Sequence, residues 1–237
     1  MKIFIDAADL NEIKKYLASG LCQGVTTNPT ILKKIGAGQN EEQIRQKIIA
    51  ISGLIGEKPV SVEVTSEKID NIIYQARQFS ELAANIAVKI TVTDRTGNSL
   101  LPAVYQLSKE GISVNVTAIT TFNQAMLASR ALISGREESK SLPKFSYISV
   151  FGGRISEEQG TEQAFRVIQH IRQWLDINNF KGIEIIIGSI RSRENVELWA
   201  RSGAHILTIP PEIISQCLVS ARTKETVIQF MNDANGQ

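Results

Sequence analysis

The chain has 237 residues, a length that suits one large domain and matches a typical single α/β barrel. Hydrophobic residues make up 43% of it, which allows a sizeable core and excludes global disorder. With 26 Lys and Arg against 24 Asp and Glu the net charge is +2, too balanced for nucleic acid or a membrane surface to be the main partner.

The first predicted strand, 2–6, ends on Asp6, and a helical period follows over about 9–19. A second strand at 24–27 runs into Asn28, and a helix is expected over about 40–55. The third strand, 60–64, carries Glu63 near its end and precedes a helix at about 67–83. The fourth, 87–91, places Lys89 in the run Ala-Val-Lys-Ile-Thr, ahead of a helix at about 97–110. In the fifth, 113–117, Asn115 and Thr117 alternate and so share one face. After a helix at about 121–134, the polar stretch 134–144 reads as a solvated connection on the N-terminal side. The sixth strand, 147–151, puts Ser149 and Phe151 on one face, with Arg154 just beyond and a helix at about 157–177. The seventh, 184–188, is followed by Ser189 and Arg191 and a helix at about 192–201. The eighth, 206–209, leads to a helix at about 211–220. A last amphipathic helix, about 223–233, has no strand left to cover and is free to pack across the barrel or against another subunit.

Strands alternating with helices imply right-handed βαβ units and a parallel sheet. Eight such units predict a closed (β/α)₈ TIM barrel with an extra C-terminal helix, one domain over 1–237. No GxGxxG follows the first strand, which weakens a dinucleotide-binding reading. Cys22 and Cys217 are too far apart in sequence to suggest a disulfide framework or a metal knuckle. His170 and His205 are the two histidines, whereas a zinc aldolase wants two or three close together. His170 falls on a helix surface, and His205 reads as structural. Neither metal nor cofactor is expected. No apolar run approaches a membrane span of ~18 residues. With no signal-like N-terminus either, the protein is expected to be cytoplasmic.

Barrel enzymes build their sites at the C-terminal ends of the strands. Seven of the eight predicted strands deliver a polar group there: Asp6, Asn28, Glu63, Lys89, Asn115 with Thr117, Ser149, and Ser189. Lys89 is the sharpest feature, because its apolar neighbours force it into the barrel or toward the helices. An ammonium is costly to bury, and the neutral amine that burial favours is the form that attacks a carbonyl. A structural lysine paired with Asp6 or Glu63 is the alternative. Asp6 and Glu63 bring two carboxylates to the same rim, suited to proton transfer in iminium chemistry. Arg154 and Arg191, each near a helix start, form a natural phosphate site.

The run Gly24-Val-Thr-Thr-Asn-Pro-Thr30 closely resembles the signature of the transaldolase family. Phe4-Ile-Asp6, Val88-Lys-Ile90, Asn115-Val-Thr117, Phe151-Gly-Gly-Arg154 and Gly188-Ser-Ile-Arg191 extend that resemblance in order along nearly the whole chain. The short length is similar to the small-subunit branch, which includes microbial transaldolases and fructose-6-phosphate aldolases. The resemblance implies a Schiff base on Lys89, Asp6 as general acid and base, and a catalytic water held by Glu63 and Thr117. It further implies that Thr26, Asn28, Asn115, Ser149, Phe151 and Ser189 line the ketose, and that Arg154 and Arg191 take its phosphate. Sugar phosphates would be the partners, and the chains would assemble as pentamers or decamers.

Two positions separate the branches. Aldolase members look like they carry Gln where this chain has Glu63 and Tyr where it has Phe151, and Asn115 and Ser149 are also similar to transaldolases. A phenyl ring donates no hydrogen bond. Phe151 therefore favours transfer of a dihydroxyacetone unit to an aldose phosphate over its release. Fructose-6-phosphate aldolase activity, a specialised sugar pathway and a non-catalytic sugar-phosphate-binding barrel stand as alternatives. Ala7, Thr91 and Val150 depart from the family pattern without removing a catalytic group.

Overall fold

The computed structural model describes residues 1–37 and 40–236. In chain order the elements begin β1 (Lys2–Asp6), α1 (Leu10–Ala18), β2 (Val25–Thr26), α2 (Pro29–Lys34), α3 (Glu41–Ile55), β3 (Val60–Glu63), α4 (Ile69–Ser80), β4 (Ile86–Thr91) and α5 (Leu101–Lys109). They continue with β5 (Val114–Ile119), α6 (Phe122–Glu138), β6 (Ser146–Phe151), α7 (Gly152–Gln159), α8 (Thr161–Ile177), β7 (Glu184–Gly188), α9 (Arg193–Ala200), β8 (Ile206–Ile209), α10 (Pro211–Cys217) and α11 (Ala221–Ala234). Each strand pairs in parallel with the next, and β8 pairs with β1 from Lys2↔Ile206 to Ile5↔Ile209. The predicted (β/α)₈ barrel therefore closes.

The period-two alternation sorts strand side chains into two separate apolar clusters. Outward-facing Ile5, Val25, Val62, Val88, Val116, Ile148, Ile187 and Leu207 are buried with the helices in the larger one. Inward-facing Phe4, Ala87, Tyr147, Ile186 and Ile206 form the other, with Phe145 against them. Phe4 meets Tyr147 edge-on at 6.0 Å, and Phe145 stacks on Tyr147 at 5.8 Å. Gly24 makes room for this plug, since a Cβ there would come within 2.6 Å of the Phe4 ring. Two residues further along the same strands stand Asp6, Lys89, Ser149, Gly188 and Thr208. The barrel interior is thus apolar toward its N-terminal end and polar toward its C-terminal end.

The helices depart from the sequence expectation in three places. The predicted connection at 134–144 is helical as far as Glu138, because α6 continues for another turn. Arg136 on that turn donates to Ser146 Oγ at 3.0 Å, tying the helix end to the start of β6. The single helix expected over 157–177 is two, broken at Gly160, whose φ of 87° is left-handed. The unexpected α2 follows β2 at once, capped by Asn28 and with Pro29 at its first position. Of the two placements open to the last helix, packing across the barrel does not occur, since α11 buries none of its residues.

His205 has the structural part expected of it. The Ile185 N–H donates to its Nδ1 at 2.9 Å, and burial beside Arg172 holds its pKa below the usual histidine range. His170 is exposed on α8. Among the described residues no helix is long and apolar enough to cross a membrane.

Candidate active site

A cavity of about 490 Å³ opens at the C-terminal end of the barrel, and Lys89 lies on its wall. Two further hollows, of about 500 and 670 Å³, open on the opposite face around Phe145, Lys144 and Lys2. Chemistry, not size, separates them: the C-terminal cavity gathers a buried lysine, two carboxylates and several hydroxyls.

Lys89 points inward from β4 and is 5% exposed. Its Nζ lies 3.1 Å from Glu63 Oε2, on the neighbouring strand at the paired register position. The ammonium also donates to the Thr27 carbonyl at 3.1 Å. The Lys89 nitrogen and the Glu63 carboxylate are therefore in contact, an arrangement that allows proton exchange between them.

Asp6 closes the inner face of β1. Its Oδ1 accepts from Thr26 Oγ1 at 2.6 Å, and Thr26 also bonds Thr208 Oγ1 on β8. Burial raises the Asp6 pKa above the usual carboxylate range, with the Thr26 hydrogen bond and Lys89 pulling the other way. A carboxyl shifted in this direction holds its proton more readily than a solvated one, which suits it to giving and taking a proton.

A second chain of bonds crosses β6, β5 and β3. Ser149 Oγ donates to Asn115 Oδ1 at 2.7 Å, and Asn115 Nδ2 donates to Ser61 Oγ at 3.0 Å. Asn115 is wholly buried and is not on the cavity wall, whereas Ser149 is. Thr117 reaches the cavity with its Oγ1 buried and without a hydrogen-bond partner among the described residues. A buried hydroxyl without a partner costs stability, and on this wall a water or a substrate oxygen could supply the missing hydrogen bond.

Asn28 caps α2, accepting from the Ile31 N–H through Oδ1 at 2.9 Å. That bond turns its amide nitrogen into the group free to donate. Ser189 and Phe151 complete the wall. Ser189 is held in left-handed backbone (φ 60°), uncommon for a residue with a Cβ. Gly153 is packed on it so closely that a Cβ would meet the Ser189 carbonyl oxygen at 2.0 Å.

The two arginines differ. Arg154, in the first turn of α7, lies on the cavity wall, while Arg191, just ahead of α9, does not. Both pair with Glu157. Three groups escaped the sequence reading: Ser61, Thr208 and Glu157. The first two were legible as the inward positions two residues from Glu63 and Ile206, but small hydroxyls in an apolar run draw no attention.

These features define a (β/α)₈ barrel with a lysine–carboxylate centre at the C-terminal end of its strands. The family model for Transaldolase/Fructose-6-phosphate aldolase matches residues 3–236, and the chain belongs to that family. A protein from Streptococcus agalactiae named "Probable transaldolase" is 36% identical over 233 residues, covering 98% of this chain and 97% of its own. One of the same name from Alkaliphilus metalliredigens is 32% identical over 240 residues, covering 100% and 99%. Among solved structures, the crystal structure of KGPDC from Streptococcus mutans aligns with a TM-score of 0.52 at 9% identity, covering 88% of this chain and 86% of that one. That likeness concerns the barrel fold alone.

Proposed function

We propose that the protein is a transaldolase that moves a dihydroxyacetone unit from a ketose phosphate, sedoheptulose 7-phosphate or fructose 6-phosphate, to an aldose phosphate through a Schiff base on Lys89. The observation that carries this reading is the buried Lys89 in contact with Glu63 at 3.1 Å within a well shared with Asp6.

The chemistry follows from those positions. Glu63 takes a proton from Lys89, and the free amine attacks the ketose carbonyl. The carbinolamine loses water as Glu63, with a water on the unmatched Thr117 hydroxyl, returns a proton to the departing oxygen. In the iminium that results, Asp6 removes the proton of the hydroxyl two carbons from the former carbonyl. The carbon–carbon bond breaks, the aldose phosphate leaves, and the electron pair rests on the enamine. An incoming aldehyde is then attacked, Asp6 protonates the new alkoxide, and water hydrolyses the iminium. Asn28, Ser149 and Thr26 orient the ketol hydroxyls, with Asn115 setting Ser149, while Arg154 and Arg191 receive the phosphate. No metal or cofactor enters any step.

Fructose-6-phosphate aldolase activity is the second reading, favoured by the family's scope and opposed by Phe151, which has no hydroxyl to assist release. Borohydride reduction with fructose 6-phosphate should leave a mass adduct on the wild type and none on Lys89→Ala. An adduct on the variant would overturn the lysine assignment. Turnover of fructose 6-phosphate without erythrose 4-phosphate would overturn transfer in favour of release.

The reading extends to a cytoplasmic homo-oligomer, pentamer or decamer, that acts in the pentose phosphate pathway. Exposed Val227, Ile228, Phe230 and Met231 give α11 apolar surface for a neighbouring copy, and native mass spectrometry counts the subunits. Free Cys22 and Cys217 accord with a reducing compartment.

A further inference from the structure

Glu157 stands one helical turn beyond Arg154 on α7 and engages both arginines. Its Oε2 lies 3.5 Å from Arg154 Nη1, and its Oε1 accepts from Arg191 Nη1. Among the described residues it is the one carboxylate paired with either guanidinium. One oxygen on each of two guanidiniums is the pattern by which a phosphate dianion is also held.

We infer that Glu157 is a built-in stand-in for the substrate phosphate, a positioning residue that gathers Arg154 and Arg191 between turnovers and is displaced when a sugar phosphate binds. The inference rests on the reading of those arginines as the phosphate site. Three features support it. Two guanidiniums and one carboxylate leave the subsite a single net positive charge, less than a dianion calls for. The side chains are open to exchange, since Arg154, Arg191 and Glu157 are 61%, 45% and 48% exposed. Surface pairs of this kind are weak, and a phosphate has more charge and more acceptor oxygens than a carboxylate. Tethered on α7, Glu157 nevertheless competes at a high effective concentration.

The consequence is a uniform weakening of every phosphorylated ligand. Uniform binding does not speed the chemical step, and reducing it hastens departure of the first aldose phosphate. In a transfer reaction that departure must precede entry of the acceptor. Glu157 therefore sets the affinity of the phosphate subsite without touching the reacting carbons.

Inhibition by inorganic phosphate measures the subsite directly, and erythrose 4-phosphate against unphosphorylated glyceraldehyde separates phosphate effects from the rest. Glu157→Gln should lower the phosphate inhibition constant and the KM for erythrose 4-phosphate by roughly three- to tenfold, as expected for losing one exposed competing charge. The KM for glyceraldehyde should not move, and Glu157→Asp should restore wild-type behaviour in part. Arg154→Ala should raise the same inhibition constant. If Arg154→Ala raises it while Glu157→Gln leaves it unchanged or higher, the stand-in role is wrong and the phosphate site stands. If Arg154→Ala and Arg191→Ala both leave it unchanged, the phosphate site itself is misassigned and the inference falls with it.

Discussion

Lys89 Nζ and Glu63 Oε2 sit 3.1 Å apart on adjacent strands, at positions the barrel register sets directly opposite each other. The side chains are 7% and 20% exposed, so neither charge is well solvated without the other. Removing one partner of a buried pair is far more costly than removing both. Lys89→Met should destabilise the protein by about 1–3 kcal/mol, a discounted figure because Glu63 keeps some solvent contact. Adding Glu63→Gln should recover most of that loss. Urea denaturation of the two single variants and the double closes the cycle. Strict additivity would mean that the two groups do not support each other.

Glu63→Gln alone separates pairing from catalysis. The amide keeps the shape and cannot exchange a proton, so borohydride trapping with fructose 6-phosphate should slow by roughly 10²–10⁴-fold, the usual span for general acid–base groups. The adduct should still form on Lys89. An unchanged trapping rate would remove Glu63 from the proton path.

Asp6 links stability to pH in a definite direction. Burial raises its folded-state pKa, so the folded protein holds this proton more tightly than the unfolded chain. Stability from this group is full below the ordinary carboxylate pKa. It declines as pH rises toward the folded value and is fully lost above it. Asp6→Asn carries no such penalty. The variant should lack transfer activity yet melt at a higher temperature than wild type at pH 7, with the gap narrowing in acid. A lower melting temperature at neutral pH would show that Asp6 is held as a stabilising anion.

Gly153 and Ser189 test how backbone shapes the site. With the Ser189 carbonyl 2.0 Å from where a Cβ would stand, Gly153→Ala must force the start of α7 and the segment after β7 apart, and Ser189 lines the cavity. The expected result is a loss of kcat/KM larger than the loss of stability. Ser189→Gly should act the other way, relieving left-handed strain by ~1 kcal/mol while weakening ketose binding through the lost hydroxyl. Melting curves beside steady-state kinetics separate the two. Near-wild-type kinetics in Gly153→Ala would mean that the segment relaxes without reaching the cavity.

The same local rules explain what was legible in the sequence. Strand positions were plain because β-branched residues face the helices on one side of each run, as Val62, Val88 and Val116 do. The inward set could be read wherever it carried a charge or an amide, as at Asp6, Lys89 and Asn115. Thr208 was not, since a hydroxyl two places beyond Ile206 looks like ordinary strand composition. Nor was the break at Gly160, because the helical period continues on both sides and only the backbone conformation interrupts it. Glu157 lies in a charged run that reads as a solvated helix face, and its link to Arg191 comes from another unit of the barrel. Pairings between units are set by closure of the sheet, which no local pattern reports.

Phe151 closes the inner face of β6, and its ring packs beside Gly188 on the cavity wall. The same cavity holds Thr117, whose hydroxyl has no protein partner among the described residues. A phenyl ring adds no donor or acceptor to a water there, so in the proposed mechanism the enamine persists until an aldehyde arrives. Phe151→Tyr introduces one further hydroxyl into a wall that already carries Thr117, Ser149 and Ser189. Its proton can orient that water toward the enamine carbon, which favours protonation and release of dihydroxyacetone. Acceptor-free turnover of fructose 6-phosphate should therefore rise by about tenfold or more, less than the roughly 10²–10⁴-fold of a fully positioned proton-transfer group because the rest of the wall is unchanged. Transfer to erythrose 4-phosphate should fall in the same variant. Following dihydroxyacetone and sedoheptulose 7-phosphate together gives the partition directly, and an unchanged ratio would show that the ring does not decide between transfer and release.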